Sequence, residues 1–160
     1  VSKLPYTGRV LPLTNEEIDF LLRENNVARI CTHNKDGTIH AAPVSYRYIN
    51  GQIVLVSYVI SKKTRNIKRN NDVTVLVDTG SAQGILIYGR AELEYDNVYQ
   101  MALSVWEKTF RAPREKFERF VEAALDKVKM VTVKVTPKRI ITFDYNKDNV
   151  YNDLVKTYLQ

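Results

Sequence analysis

The chain has 160 residues, 44% of them hydrophobic and 26% charged, with a net charge of +6. This balance is typical of a globular protein, and the length suits one domain with a full core. A single cysteine excludes an internal disulfide framework, and no stretch reaches the roughly 20 apolar residues that span a bilayer. We therefore expect a cytoplasmic protein with no membrane partner, whose positive charge favours anionic ligands.

The first elements follow from local patterns. The prolines and glycine of residues 1–13 predict an extended arm. Thr14 and Glu17 then form a capping box, and the apolar spacing after them predicts a helix that ends near Asn25.

Alternating apolar residues from Val27 onward predict strands joined by hairpins. Asp36-Gly37 predicts a two-residue turn, and Asn50-Gly51 predicts a second one, so three antiparallel strands are expected in succession. Ser61 is expected to cap a short helix that reaches about Asn70.

The second half of the chain adds strands on both sides of a helical segment. Asp96 is expected to cap a helix to about Phe110, and Pro113 is expected to start another to about Val128. Six or seven antiparallel strands in one domain indicate a barrel, because closure removes exposed sheet edges. The remaining strands are predicted at 72–79, 85–95, 129–137 and 139–146, followed by a weakly helical tail at 146–160.

The densest chemical feature is the stretch 61–70, in which five of ten residues are basic. It follows a strand and opens a helix, where backbone amides carry partial positive charge. With Ser61 as a hydroxyl donor and Lys62 and Lys63 as cations, it forms a candidate phosphate site. The alternatives are a solvated basic helix face and a nucleic-acid patch on the 62–69 helix, which would also require stacking aromatic residues.

Two motifs in this order resemble the pyridoxamine 5′-phosphate oxidase-related, FMN-binding split-barrel family. They are the Asp36-Gly37 hairpin followed by Pro43, and the pattern Ser61-x-Lys63-x-Arg65-Asn66-Ile67 followed by Asn70 and Val73. The resemblance covers about 13–95, with a weaker match at 135–145. It implies a mainly β protein with helices (α+β), a six-stranded antiparallel split β-barrel that dimerises. Residues 1–160 would then form one flavin-binding domain, with 96–128 as a helical insertion.

The resemblance also implies a site. The protein would be an oxidoreductase that holds FMN between the subunits of a homodimer and acts on a small-molecule redox substrate. The phosphate would lie on Lys62 and Lys63 near Ser61. The ring would lie against the 42–45 strand and its neighbours. The implied cofactor-binding residues are His40, Ala42, Pro43, Val44, Ser45, Val56, Ser57, Ser61, Lys62, Lys63 and Gln83.

Two departures from the family pattern widen the functional options. His40 and Ser45 replace the arginine and lysine that help hold phosphate in the true pyridoxamine phosphate oxidases, and the C-terminal substrate segment of that enzyme has no match. We therefore do not expect oxidation of pyridoxamine phosphate. The alternatives to FMN are a deazaflavin coenzyme or haem, and the alternative to an enzyme is a non-catalytic flavin- or haem-binding protein. A nucleic-acid-binding domain that uses the 62–69 helix is the least favoured alternative. No catalytic side chain is predicted.

Cys31, His33 and His40 are candidate metal ligands. A two-residue turn would place His33 opposite His40 and Cys31 opposite Ala42, so that all three share one sheet face. Only three ligands appear, without CxxC or HxxxH spacing. We expect no bound metal, and we expect Cys31 to be a small core residue.

Overall fold

The computed structural model describes residues 11–80 and 82–160, so the predicted arm lies outside the described residues except at its end. There Leu11 forms an isolated bridge with Asp144, and the Leu13 amide donates to Thr142 Oγ1 at 2.9 Å. The end of the arm is therefore attached to the last strand of the sheet.

The described part of the chain contains seven strands and five α-helices. Most predicted elements are present, with their ends shifted by a few residues. In chain order they are α1 (Asn15–Glu24), β1 (Val27–His33), β2 (Ile39–Ser45), β3 (Arg47–Ile49), β4 (Gln52–Tyr58), α2 (Lys62–Arg69), β5 (Asp72–Asp78), β6 (Gln83–Glu94), α3 (Val98–Glu107), α4 (Arg114–Lys127), β7 (Met130–Asp144) and α5 (Asn149–Tyr158).

The strands form one antiparallel sheet in the order β2-β1-β5-β6-β7-β4-β3. β2 and β3 lie at opposite ends of this order, although only Tyr46 separates them along the chain. The sheet must therefore curl until its two edges meet, which produces a split barrel. The predicted α+β class and antiparallel barrel are confirmed.

The predicted count of six strands is wrong, because Tyr46 divides one strand into β2 and β3. Its amide donates to the Asn26 carbonyl at 3.1 Å, and its hydroxyl donates to the Leu22 carbonyl at 2.9 Å. The side chain is fully buried. Burial of a large ring with a paired hydroxyl outweighs continuation of the strand ladder.

The first hairpin has a three-residue turn, not the predicted two-residue turn. The Asn34 amide donates to the Thr38 carbonyl at 2.8 Å, which leaves 35–37 as the turn. Gly37 has φ +87°, the left-handed conformation that closes a turn of this length. The Asn50-Gly51 turn, in contrast, has the two residues predicted.

The extra turn residue moves every partner in the first hairpin by one position. His40 lies opposite Thr32, and Cys31 lies opposite Ala41. The predicted shared face is therefore wrong, because His40 points to the other side of the sheet from Cys31 and His33. Cys31 is half-buried on the outer face, not a core residue as predicted. No group of three His, Cys, Asp or Glu side chains among residues 11–80 and 82–160 could hold a metal ion.

Two boundaries in the second half differ from the prediction. Helix α3 begins after Asn97, which has φ +56° and makes no side-chain cap bond, so Asp96 is not its cap. The helix also ends at Glu107, before the predicted Phe110.

The two predicted final strands are one continuous strand, β7. Pro137 has no backbone N–H to donate to a ladder. It lies opposite Gly89 at a bulge in β7, where Lys138 is the extra residue between the partners of Tyr88 and Gly89. A Cβ on Gly89 would lie 2.6 Å from the Thr136 carbonyl oxygen, so this close approach requires glycine.

Two apolar clusters stabilise the fold. The larger fills the barrel and includes fully buried Ile30, Leu55, Val75 and Ile87. The smaller lies where α3 and α4 cover β4, and its buried members are Ala102, Leu103, Phe117 and Val121. None of the helices in the described ranges is long and apolar enough to cross a membrane.

The tail is helical, as predicted. Asp148 caps α5 by accepting from the amides of Val150 and Tyr151 at 2.9 and 3.2 Å. The helix has no buried residue, and Leu154 and Tyr158 are exposed.

Candidate functional site

The end of β4 and the start of α2 form the polar part of the site. The Ser61 amide donates to the Tyr58 carbonyl at 3.0 Å, so two residues connect the strand to the helix cap. Ser61 is the N-cap, as predicted, and its Oγ accepts from the Thr64 amide at 3.3 Å. The first amides of α2 therefore open towards the end of β4.

Three hydroxyl groups meet beneath this helix start. The oxygens of Ser57, Ser61 and Thr64 are each 3.0 Å from the other two. Thr64 also donates to the Tyr58 carbonyl at 2.9 Å. A hydroxyl has one proton and two acceptor lone pairs, so Ser57 can donate to a ligand while it accepts from Ser61.

A cleft of about 220 Å³ opens beside these hydroxyls, and we call it the β2–β4 cleft. Five of its nine lining residues are apolar, and the polar residues Ser57, Tyr58 and Lys63 lie where β4 ends and α2 begins. In the part of the chain that the structure describes, no acidic side chain lines it. The lining residues are Pro43, Val44, Ser45, Val56, Ser57, Tyr58, Lys63, Trp106 and Met130.

Lys63 is the cation of the β2–β4 cleft. Partial burial lowers the pKa of Lys63 below its usual value, because the ammonium group loses water. An anionic group in the cleft would replace that water as a charge-assisted partner. The cleft therefore favours a ligand that combines an apolar part with an anionic group.

Helix α3 closes one side of the β2–β4 cleft. Trp106 lines the cleft and packs against Phe120 of α4, with ring centroids 6.1 Å apart. Just after the helix, Thr109 Oγ1 donates to Ser45 Oγ at 3.1 Å. The helical segment at 96–128 therefore holds the wall of the cleft in place.

A second cleft, of about 320 Å³, lies on the other side of α2. We call it the hairpin–α2 cleft, because the first hairpin turn and the exposed face of α2 form its walls. Its lining residues are Asn34, Lys35, Asp36, Lys62, Arg65, Asn66 and Arg69.

The sequence profile of the pyridoxamine 5′-phosphate oxidase family matches residues 14–143. The chain belongs to this family. The match spans the barrel, the helices α1 to α4 and both clefts. The resemblance predicted from the hairpin and the Ser61 motif is confirmed. No curated protein matches the chain.

Solved structures with the same fold have low sequence identity to this family member. A conserved hypothetical protein from Mycobacterium tuberculosis has a TM-score of 0.74 at 24% identity, over 86% of this chain and 88% of its own. An FAD-binding protein from Mesorhizobium loti has a TM-score of 0.61 at 21% identity, over 84% and 95%. An F420 reductase has a TM-score of 0.62 at 19% identity, over 82% and 98%. These likenesses support the split-barrel fold.

The structure brings most of the predicted cofactor residues of this pyridoxamine 5′-phosphate oxidase family member together. Ser61 reaches the β2–β4 cleft through the Ser57 hydroxyl. Ala42 and His40 are half-buried on β2 but do not line the cleft. The predicted residues that line it directly are Pro43, Val44, Ser45, Val56, Ser57 and Lys63.

Two predicted residues lie elsewhere in the fold. Lys62 lines the hairpin–α2 cleft, so the two consecutive lysines face different clefts. Gln83 is the first residue of β6 and not part of a loop, and its Nε2 donates to Asp144 Oδ2 at 3.0 Å. Asp144 ends β7, a strand of 15 residues whose first residue is Met130, so Gln83 is remote from the β2–β4 cleft of the same chain.

Sequence reasoning missed three contributors to the site. Thr64 completes the hydroxyl cluster, and its place three residues after the Ser61 cap was the available signal. Tyr58 and Met130 are partners across β4 and β7. No sequence signal pairs those two strands, because 71 residues separate the two side chains and only tertiary folding brings them together.

The hydroxyl cluster makes a testable contribution to stability. Replacing Thr64 with valine keeps the shape of the side chain but leaves the Tyr58 carbonyl and the two serine hydroxyls without this partner. We expect the free energy of unfolding to fall by about 1–3 kcal/mol, measured by urea denaturation. Thr64→Ser should retain most of the stability. Equal stability of Thr64→Val and wild type would show that the cluster is not a stabilising network.

Proposed function

We propose that this protein binds a flavin-type cofactor in the β2–β4 cleft and works as a flavin-dependent oxidoreductase. The observation that carries the proposal is one cleft that combines five apolar side chains with a half-buried lysine at the start of a helix. Among the described residues, no acidic side chain lines this cleft. A flavin has this form, since a flat ring is joined by a chain to a phosphate.

The residues present fit such a group. Val44, Val56 and Met130 offer an apolar surface to a ring. Pro43 has no backbone N–H, so β2 cannot make every hydrogen bond of a regular ladder at this position. Lys63, the Ser57 hydroxyl and the first amides of α2 would hold the phosphate. When bound, the flavin itself supplies hydride or electron transfer, and the protein positions it.

FMN is the cofactor we propose for the β2–β4 cleft taken by itself, because that cleft ends close to the start of α2. A deazaflavin coenzyme is the main alternative, and similarity of fold to an FAD-binding protein and an F420 reductase is consistent with a flavin-like ring. Haem is a further alternative. His40 and Ser45 do not supply the phosphate-binding cations of the true oxidases, and Ser45 is already bonded to Thr109. We therefore do not propose pyridoxamine phosphate as the substrate.

The site we propose is completed by a second copy of this chain. The volume of about 220 Å³ in one chain is small beside the roughly 300–1,000 Å³ of ligand pockets. Gln83, implied at the ring by the family resemblance, cannot reach the cleft of its own subunit. A homodimer with the cleft at its interface would account for both observations, since the second chain would enlarge the cleft and supply Gln83.

The outer face of the barrel offers a surface for that dimer. Strand register places Pro43, Leu76, Leu86 and Ile141 in one row, interrupted only by Arg29. The outward side of an antiparallel sheet in water is normally polar. An apolar row across five strands is suited to a self-complementary, two-fold interface.

The test of flavin binding is direct. We expect the purified protein to quench FMN fluorescence, to gain thermal stability with FMN, or to carry a flavin absorbance spectrum. Released cofactor would be identified by mass spectrometry. A colourless protein that neither quenches FMN nor gains stability from it would overturn the proposal.

Turnover separates an enzyme from a non-catalytic carrier. The proposed oxidoreductase should oxidise a reduced nicotinamide cofactor, or reduce its bound cofactor with another donor, at steady state with at least one acceptor. A bound chromophore without turnover across several donors and acceptors would favour the carrier or sensor.

A further inference from the structure

The hairpin–α2 cleft concentrates positive charge. Four cationic side chains, Lys35, Lys62, Arg65 and Arg69, line it together with one carboxylate, Asp36. Within residues 11–80 and 82–160, none of the four cations forms a salt bridge with an acidic side chain. Four like charges around one cavity repel each other, so the arrangement favours an anionic ligand.

The floor of this cleft is built from fixed groups. Asn66 is 3% exposed, and its Nδ2 donates to Thr32 Oγ1 at 3.0 Å and to Asn34 Oδ1 at 2.9 Å. Arg69 Nη2 donates to the His33 carbonyl at 2.6 Å and to Asn66 Oδ1 at 3.0 Å. A guanidinium has five N–H donors, so Arg69 keeps others for a ligand while its position is held.

The single carboxylate is fixed within the hairpin turn. Asp36 Oδ1 accepts from the Thr38 hydroxyl at 2.6 Å and from the Thr38 amide at 3.1 Å. Asp36 offsets one of the four positive charges, and the remaining excess of positive charge is left for a ligand.

The two clefts flank the first turn of α2. Lys62 lines the hairpin–α2 cleft and Lys63 lines the β2–β4 cleft. Their Cα atoms are about 3.8 Å apart, as for any consecutive residues. A phosphate at the start of α2 would therefore lie between the clefts, and any group attached beyond it would enter the second one.

We propose that the hairpin–α2 cleft binds an anionic extension of the cofactor beyond its first phosphate. The ligand class is a flavin or deazaflavin that carries further negative charges there, either a second phosphate of a dinucleotide or several carboxylates of a tail. This inference rests on the proposed function. It predicts that FMN, which ends at its first phosphate, leaves the four cations unneutralised and is not the best ligand.

The experiment compares FMN, FAD and a deazaflavin coenzyme with a glutamate tail, by fluorescence titration at fixed salt. We expect one of the two extended cofactors to bind the wild type more tightly than FMN. Arg65→Gln and Lys35→Gln each change one wall of the cleft. Each should weaken the binding of that extended cofactor by about tenfold, because it removes a charge-assisted partner. Both should change FMN binding by less than about twofold. Lys68→Gln is the matched control, since Lys68 lies on α2 outside both clefts.

Several outcomes would overturn the inference. FMN binding that equals or exceeds that of both extended cofactors removes it while the flavin function stands. If Arg65→Gln and Lys68→Gln lose equal affinity for the extended cofactor, or if Arg65→Gln weakens FMN and the extended cofactor equally, the cleft attracts anions only through its overall positive charge and is not a specific site. Tighter binding of a single-stranded oligonucleotide that Arg65→Gln abolishes would assign the cleft to nucleic acid. Failure of all three cofactors to bind would overturn the flavin function, and this inference with it.

Discussion

Replacing Lys63 with alanine should weaken FMN binding by about 1–3 kcal/mol, the loss expected for a charge-assisted partner of a phosphate. Lys63 is the cation of the β2–β4 cleft, and no other lysine or arginine among the described residues lines that cleft to take over its role. The measurement is quenching of FMN fluorescence during titration. Lys63→Arg keeps a cation at the same place and should retain most of the affinity.

Lys68→Ala provides the control for that experiment, because it removes one positive charge from the same helix without touching the β2–β4 cleft. It should leave FMN affinity almost unchanged. The thermal unfolding of both variants should match the wild type. If Lys63→Ala and Lys68→Ala bind FMN equally well, Lys63 is not part of the phosphate site.

The same lysine predicts a pH dependence. Burial lowers the pKa of free Lys63 below the usual 10.5, so the ammonium loses its proton earlier in the alkaline range than an exposed lysine. A phosphate binds the charged form, so affinity is full below the lowered pKa and falls as pH rises through it. Lys63→Arg should bind FMN undiminished over this range. Identical pH profiles for the two proteins would contradict the assignment.

Replacing Leu86 with lysine should convert a dimer into a monomer and weaken FMN binding at least tenfold. Leu86 lies in the middle of the apolar row on the outer face, between Leu76 and Ile141. A lysine there is solvated in the monomer but would be buried without a partner in a two-fold interface. Light scattering after gel filtration measures the first effect, and fluorescence titration measures the second.

Phe20→Lys is the matched control for the dimer experiment. Phe20 is also an exposed apolar residue, 62% accessible, but it lies on α1 away from the row. This variant should keep the oligomeric state of the wild type. A wild type that is monomeric, or a Leu86→Lys variant that stays dimeric, would remove the outer face as the interface. A monomeric variant with full FMN affinity would show that one subunit holds a complete site.

Local patterns predicted the elements that depend on neighbours in sequence. The capping box of Thr14 and Glu17 is present, with the Thr14 amide donating to Glu17 at 2.7 Å. Ser61 caps α2, and Asn50-Gly51 forms its two-residue turn. Each depends on hydrogen bonds or dihedral angles within a few residues, so the sequence contains the whole cause.

Errors occurred where distant contacts decided the outcome. The break at Tyr46 depends on the carbonyl of Leu22, 24 residues away. The continuity of β7 through Pro137 depends on Gly89 of β6, which lies opposite Pro137 beside the bulge at Lys138. Two or three residues could close the turn of the first hairpin, and the choice sets its register. The burial of Ile30 and Thr32 decides which side of the strand faces the core.

The sequence by itself determined that a basic, serine-capped helix follows a strand, and that this pattern belongs to a family of split barrels. Only the tertiary structure decided that Lys62 and Lys63 serve different clefts, because consecutive residues on a helix point about 100° apart and the surrounding strands decide what each one faces. The same is true of Trp106 and Met130, which the packing of α3 and β7 against β4 brings into one wall. A motif within one segment can be predicted from the sequence, whereas a cavity is formed by segments that meet only after folding.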